Sequence, residues 1–241
     1  MFRALRHRNF QLFFGGQLIS LVGTWMQTLA QSWLVYRLTR SPFLLGAVGF
    51  SSQIPVFFLG SLAGIFADRH PRRRIVIATQ TAMMIQAFII AALTLSHVIQ
   101  VWQIFLMALM LGVCNAFDIP ARQAFIVEMV GAADLMNAIA LNSSMFNAAR
   151  SVGPAIAGIL VASLGEGLCF LINGLSFVAV IAGLFMMKVD RRTPAESSTR
   201  KLDQFKEGLA YVRGNAAIRF THRTGRVLRR HTALCAVRRQ R

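Results

Sequence analysis

A chain of 241 residues that is 55% hydrophobic and 15% charged, with mean hydropathy +0.54, is not an ordinary soluble globular domain. The net charge of +17 would suit a nucleic-acid binder if the basic residues formed one patch, but most of them sit in the gaps between long apolar blocks and beyond the last one. Cys114, Cys169 and Cys235 have neither pair nor metal spacing, which removes disulfide scaffolds and cysteine metal sites.

A membrane span needs about 20 predominantly apolar residues. Six blocks qualify: 12–36, 43–66, 75–95, 101–118, 139–164 and 168–187. The first follows Met1 to Phe10 as the core of a secretory signal would. It is too long for such a core and polar residues interrupt it, so it reads as an uncleaved span. Within it Gln17, Ser20, Thr24, Gln27 and Gln31 advance by three and four residues and share one helical face. Polar groups avoid lipid. The stripe therefore lines a wet transport cavity or bonds neighbouring helices together. Thr28 and Ser32 lie off the stripe, where their own helix backbone can satisfy them.

Between the second and third blocks, residues 64–74 read Gly-Ile-Phe-Ala-Asp-Arg-His-Pro-Arg-Arg-Arg. A short loop so rich in arginine stays on the cytoplasmic side. Arg3, Arg6 and Arg8 before the first block, Arg122 after the fourth and fifteen Lys and Arg after the sixth fall on that same side. The opposite loops hold only Arg37 and Arg40. The expectation is a multi-pass protein of the cytoplasmic (inner) membrane with both termini cytoplasmic. Gly60 with Gly64, and Ala149 with Gly153, are small-xxx-small pairs expected at helix contacts. Trp102 is expected to anchor at the interface.

Near the end of the fourth block Asn115, Asp118 and Arg122 share a face, and Arg150 lies in the fifth. A charge at the bilayer centre costs about 2.5–3.5 kcal/mol on insertion scales. These four residues form a candidate charge network. Asp118 either pairs with Arg122 at helix spacing or makes a gate contact at the inner mouth. Arg150 pairs with Asp118 or Glu128, snorkels towards the cytoplasm, or meets substrate.

There is no phosphate-binding loop, no His/Cys metal cluster and no nucleophile elbow. The chain is therefore expected to be no enzyme, with no catalytic residue, cofactor or metal. Three regions are expected: a bundle over 1–187, a cytoplasmic linker over 188–218 with a short amphipathic segment, and a disordered tail over 219–241. The tail holds eight arginines, no lysine and no acid.

From Leu5 to Met187 the sequence resembles the N-terminal half of a major facilitator superfamily transporter, close to the drug:proton antiporter group that includes the enterobactin exporter-like proteins. Gly64, Ala67, Asp68, Arg69, Arg72 and Arg73 match that family's signature between helices 2 and 3, with Pro71 where glycine is usual. Gly153, Pro154 and Gly158 resemble its helix-5 antiporter signature, with Ala149 and Ala157 replacing two glycines. The stretch Asn115 to Gln123 is similar to the end of its helix 4. The arginine that many proton-coupled members carry in helix 4 would fall near Ala108 and is absent.

The resemblance implies an all-α bundle of six transmembrane helices in a three-plus-three inverted repeat. It implies export of small amphipathic molecules by alternating access, with the proton as coupling ion. Gly64, Asp68, Arg69, Arg72 and Arg73 would gate the inner side, with Asp68 facing the other half. The family has about twice this number of spans. A missing C-terminal half or a second copy is thus an expected partner, beside the small-molecule substrate and the bilayer. On this reading the chain is a truncated half, and residues from about 219 onward are out of frame. The alternatives are an inactive fragment, or a basic tail that tethers anionic lipid or, as a less expected partner, nucleic acid.

Overall fold

The computed structural model describes residues 3–187. The linker expected over 188–218 and the tail expected over 219–241 lie outside these residues. Among the described residues the chain is entirely helical. A 3-10 turn at Arg3–Arg6 leads into α1 (Arg8–Thr39), α2 (Pro42–Arg69), α3 (Arg72–Leu95), α4 (Val101–Leu164) and α5 (Glu166–Met186). α4 is two helices joined at Gly131, whose φ of 70° and ψ of 179° break the helical path. That backbone conformation is essentially restricted to glycine. The first limb of α4 is therefore 101–130 and the second 132–164, and six long helical segments stand where six apolar blocks were read.

α2, α3, α4 and α5 are long and apolar enough to cross a membrane. α1 is 32 residues long, and its polar stripe makes it less apolar. The fourth segment differs from expectation. Apolarity fades at 118, but the helix continues through Asp118 and Pro120 to residue 130. Side-chain partners described below satisfy Asp118, and Pro120 removes only one backbone donor.

Ends are set locally. Ser41 caps α2, its hydroxyl accepting from the Leu44 amide, with Pro42 in the first turn. Gln100 and Gln103 form a reciprocal capping box at the start of α4. Trp102 lies there, exposed, its indole N–H donating to Gln100 Oε1 at 2.7 Å.

α1 packs against α5 and α4, α3 against α5 and α4, and α2 chiefly against α4. Phe10, Phe13, Val76, Phe125 and Leu184 fill the core at one end of the bundle, and Leu34, Ile90, Ile104 and Phe170 fill it at the other. Ala149 and Gly153 are buried against α1, as small residues at a contact should be. Gly60 and Gly64 are not at a helix contact among the described residues, because a β-carbon added at either would meet open space. α2 also leaves Phe43 81% and Phe57 82% exposed. One long side of α2 is thus without a neighbour among the described residues.

Candidate functional site: a clamped basic end and an open groove

The N-terminal turn, the α2–α3 loop, the Gly131 turn and the end of α5 gather at one end of the bundle. The Ala4 amide donates to Asn137 Oδ1 at 2.9 Å, and His7 Nε2 lies 3.0 Å from Asp134 Oδ2. Arg72 is the hub of the α2–α3 loop. Its Nη1 donates to Glu128 Oε1 at 2.8 Å and to the Ala124 carbonyl at 3.3 Å, while its Nη2 sits 3.5 Å from Asp68 Oδ1. Arg73 reaches the far end of α5, donating to the Leu184 carbonyl at 2.6 and 3.0 Å and to that of Phe185 at 3.3 Å. A cation there satisfies carbonyls that the helix cannot and complements its dipole. His70 stacks on Phe66 with ring centroids 4.0 Å apart. Of the expected gating residues, Asp68, Arg72 and Arg73 are drawn into this clamp, Gly64 lies one turn before it, and Arg69 is exposed.

Asp118 is almost fully buried. Arg122 Nε approaches its Oδ2 at 3.3 Å, the pair expected from their spacing. Gln80 Nε2 donates to its Oδ1 at 3.1 Å, and the Thr79 hydroxyl lies 2.8 Å from the same oxygen. The sequence did not point to these α3 partners, since Thr79 and Gln80 are ordinary residues of an apolar run. Asn115 stands half-buried a turn earlier. Arg150 does not join this group, and Glu128 is engaged by Arg72. The Arg150 guanidinium carbon instead lies 5.7 Å from the centre of the Trp25 ring, within cation–π range.

The polar stripe of α1 faces into the bundle. Gln17, Ser20, Gln27 and Gln31 are buried and Thr24 is half-buried. Asn173 Nδ2 donates to Gln27 Oε1 at 2.7 Å, Gln27 Nε2 to Gln86 Oε1 at 3.1 Å, and Gln86 Nε2 to the Met107 carbonyl at 3.4 Å. This amide chain ties α1 to α5, α3 and the first limb of α4. Of the two roles open to the stripe, the contacts of Gln27 are those of interhelical bonding. Thr28 and Ser32 bond to the carbonyls of Thr24 and Ser32's own preceding turn at Thr28, at 2.9 and 2.8 Å.

The open groove lies on the neighbouring face of α1. A cavity of about 540 Å³ is bounded by Leu29, Ser32, Trp33 and Tyr36 of α1, Leu45 of α2 and Gly158 of the second limb of α4. That size suits a small-molecule site. Gly158 of the helix-5 motif thus borders the groove, whereas Gly153 is packed under α1 and Pro154 is half-buried. Nothing in the spacing of residues 29–36 separated this groove from lipid-facing surface, because an aromatic on an apolar helix reads the same in either place.

The pattern of the family described as transmembrane secretion effector matches residues 1–235. The chain belongs to this family of the major facilitator superfamily, and with its long apolar helices it is a multi-pass membrane protein. It is similar to the staphyloferrin A transporter of Staphylococcus aureus, 27% identical over 188 residues that make up 77% of this chain and 47% of that one. It is also similar to macrolide efflux protein A of Streptococcus pyogenes, 22% identical over 87% of this chain and 52% of the relative. With the multidrug efflux pump Tap of Mycolicibacterium fortuitum it shares 24% identity over 69% of this chain and 40% of that pump. The chain spans about half the length of the curated relatives it matches.

Proposed function

We propose that the chain forms one six-span half of a secondary transporter that exports small amphipathic molecules by alternating access. Its six helical segments would form a three-plus-three inverted repeat in the inner membrane, with the basic end and both termini in the cytoplasm. Gly64, Asp68, Arg69, Arg72 and Arg73 form the inner gate, and the groove between α1 and the second limb of α4 is one wall of the path. The proton is the coupling ion that the family resemblance implies.

The observation that carries this reading is the clamp at the basic end. Arg72 joins the α2–α3 loop to Glu128, and Arg73 joins it to the last carbonyls of α5. Helices tied in this way move together, as a rocking half must. The wall is completed by a second half or a second copy of the chain. The bare side of α2 and the half-length match to the relatives both favour this arrangement, and a half left alone would be inactive.

Ethidium efflux from cells tests the gate. Asp68→Asn in the completed transporter is expected to lower efflux at least about tenfold at equal membrane abundance, the size of effect that a lost charged contact produces. Unchanged efflux would sink the gating role. Efflux from the chain expressed alone, with no second copy detectable by cross-linking, would sink the need for a partner.

A further inference from the structure

Arg150 lies in the middle of the second limb of α4, and Trp25, beneath its guanidinium, lies in the middle of α1. A permanent positive charge at that depth is costly unless it faces water or an anion. The described residues offer it no anion. They contain five carboxylates: Asp68 and Glu128 share Arg72, Asp118 pairs with Arg122, Glu166 pairs with Arg37, and Asp134 Oδ2 lies 3.0 Å from His7 Nε2. Arg150 is nevertheless held in place. Its guanidinium lies over the Trp25 indole, which the Phe146 ring meets edge-on with centroids 5.6 Å apart. Ser143, Asn147 and Ser151 on the same limb are exposed beside it, and the side chains of Asn147 and Ser151 bond back to their own helix. Among the described residues Arg150 therefore has no carboxylate partner and can meet an anion from outside them.

The groove supplies the other half of a ligand site. Gly158 lies eight residues beyond Arg150, about 12 Å further along the helix. On α1, Leu29, Ser32, Trp33 and Tyr36 continue outward from Trp25 along one face. A cation at one end and an aromatic, largely apolar cavity at the other define a ligand with an acid group and an apolar body. We propose that Arg150 binds the carboxylate of an amphipathic organic acid whose apolar part lies in the Trp33–Tyr36 cavity. A planar guanidinium suits a carboxylate because it offers two parallel donors. The inference deepens the transport reading, on which it rests, by naming the substrate class.

The probe is dansyl-aminoundecanoic acid with its methyl ester, an anionic and a neutral molecule sharing one body. Binding to the full chain in phosphatidylcholine nanodiscs is read by energy transfer from tryptophan to dansyl. The acid is expected to bind at least about tenfold more tightly than the ester, the range of a charge-assisted hydrogen bond. In Arg150→Gln the ratio falls to about one while ester binding stays within about twofold, which shows that the variant is folded. Arg150→Lys keeps part of the preference. A ratio near one in the natural chain, a preference unchanged in Arg150→Gln, or binding of neither probe overturns the proposal. Acid preference in the chain, with no efflux from the completed transporter, would sink the transport reading and leave this site standing. Efflux with a ratio near one would do the reverse.

Discussion

Replacing Asp118 by alanine is expected to destabilise the bundle by about 3 kcal/mol or more, because it breaks a buried ion pair and leaves its partners behind. Arg122 loses a contact of 3.3 Å and Gln80 loses one of 3.1 Å around an almost fully buried group. The Thr79 hydroxyl can fall back on the carbonyls of Ile75 and Val76, each 3.0 Å away, so it adds little to the loss. Asp118→Asn keeps the shape and one acceptor oxygen and is expected to cost less. Reversible unfolding of the reconstituted chain in bicelles by added dodecyl sulfate measures both. A value for the alanine variant within about 0.5 kcal/mol of the natural chain, the size of a neutral surface change, would contradict the burial of Asp118.

The second large effect is expected at Gly153. A β-carbon there would lie 2.6 Å from Trp25 Cβ, 2.8 Å from the Val22 carbonyl oxygen and 3.2 Å from the Met26 amide nitrogen. Two of these are backbone atoms of α1 and cannot swing aside, so the second limb of α4 must move off α1. Overpacking of a core costs about 1–3 kcal/mol where side chains can yield, and Gly153→Val is expected at or above the top of that range. Gly158→Ala is the control on the same helix. An added β-carbon at 158 meets nothing within 4 Å. That change is therefore expected to be neutral or to stabilise by up to about 1 kcal/mol through helix propensity. Equal losses at the two positions in the same unfolding assay would contradict the packing described.

These two sites show how far the residues alone lead. The six apolar blocks were legible because a span must be apolar along its length, and each coincides with a helical segment. The fourth was read short, since Asp118 and Pro120 end the apolarity but not the helix. The Asp118–Arg122 pair was legible from spacing within one helix. Its bonds to Thr79 and Gln80 were not, because they join residues of two helices that lie 39 and 38 positions apart in sequence. The same limit applies to Arg72 with Glu128 and to Arg73 with the α5 carbonyls. The polar stripe was legible as a face of α1, but a helical wheel does not say which neighbour that face meets. Gly60–Gly64 and Gly153 follow the same small-residue rule in sequence, and of these only Gly153 has a helix against it among the described residues.

On the transport reading the wet side of α1 is the groove and not the glutamine stripe. Cysteine accessibility measures this directly. Single cysteines at Thr28, Ser32, Ser20 and Gln27 would be labelled with a charged, membrane-impermeant methanethiosulfonate, in a background with Cys114, Cys169 and Cys235 replaced by alanine. Rapid labelling of Thr28→Cys and Ser32→Cys is expected, with protection of Ser20→Cys and Gln27→Cys. Labelling at 20 and 27 with protection at 28 and 32 would place the path along the stripe and contradict this expectation.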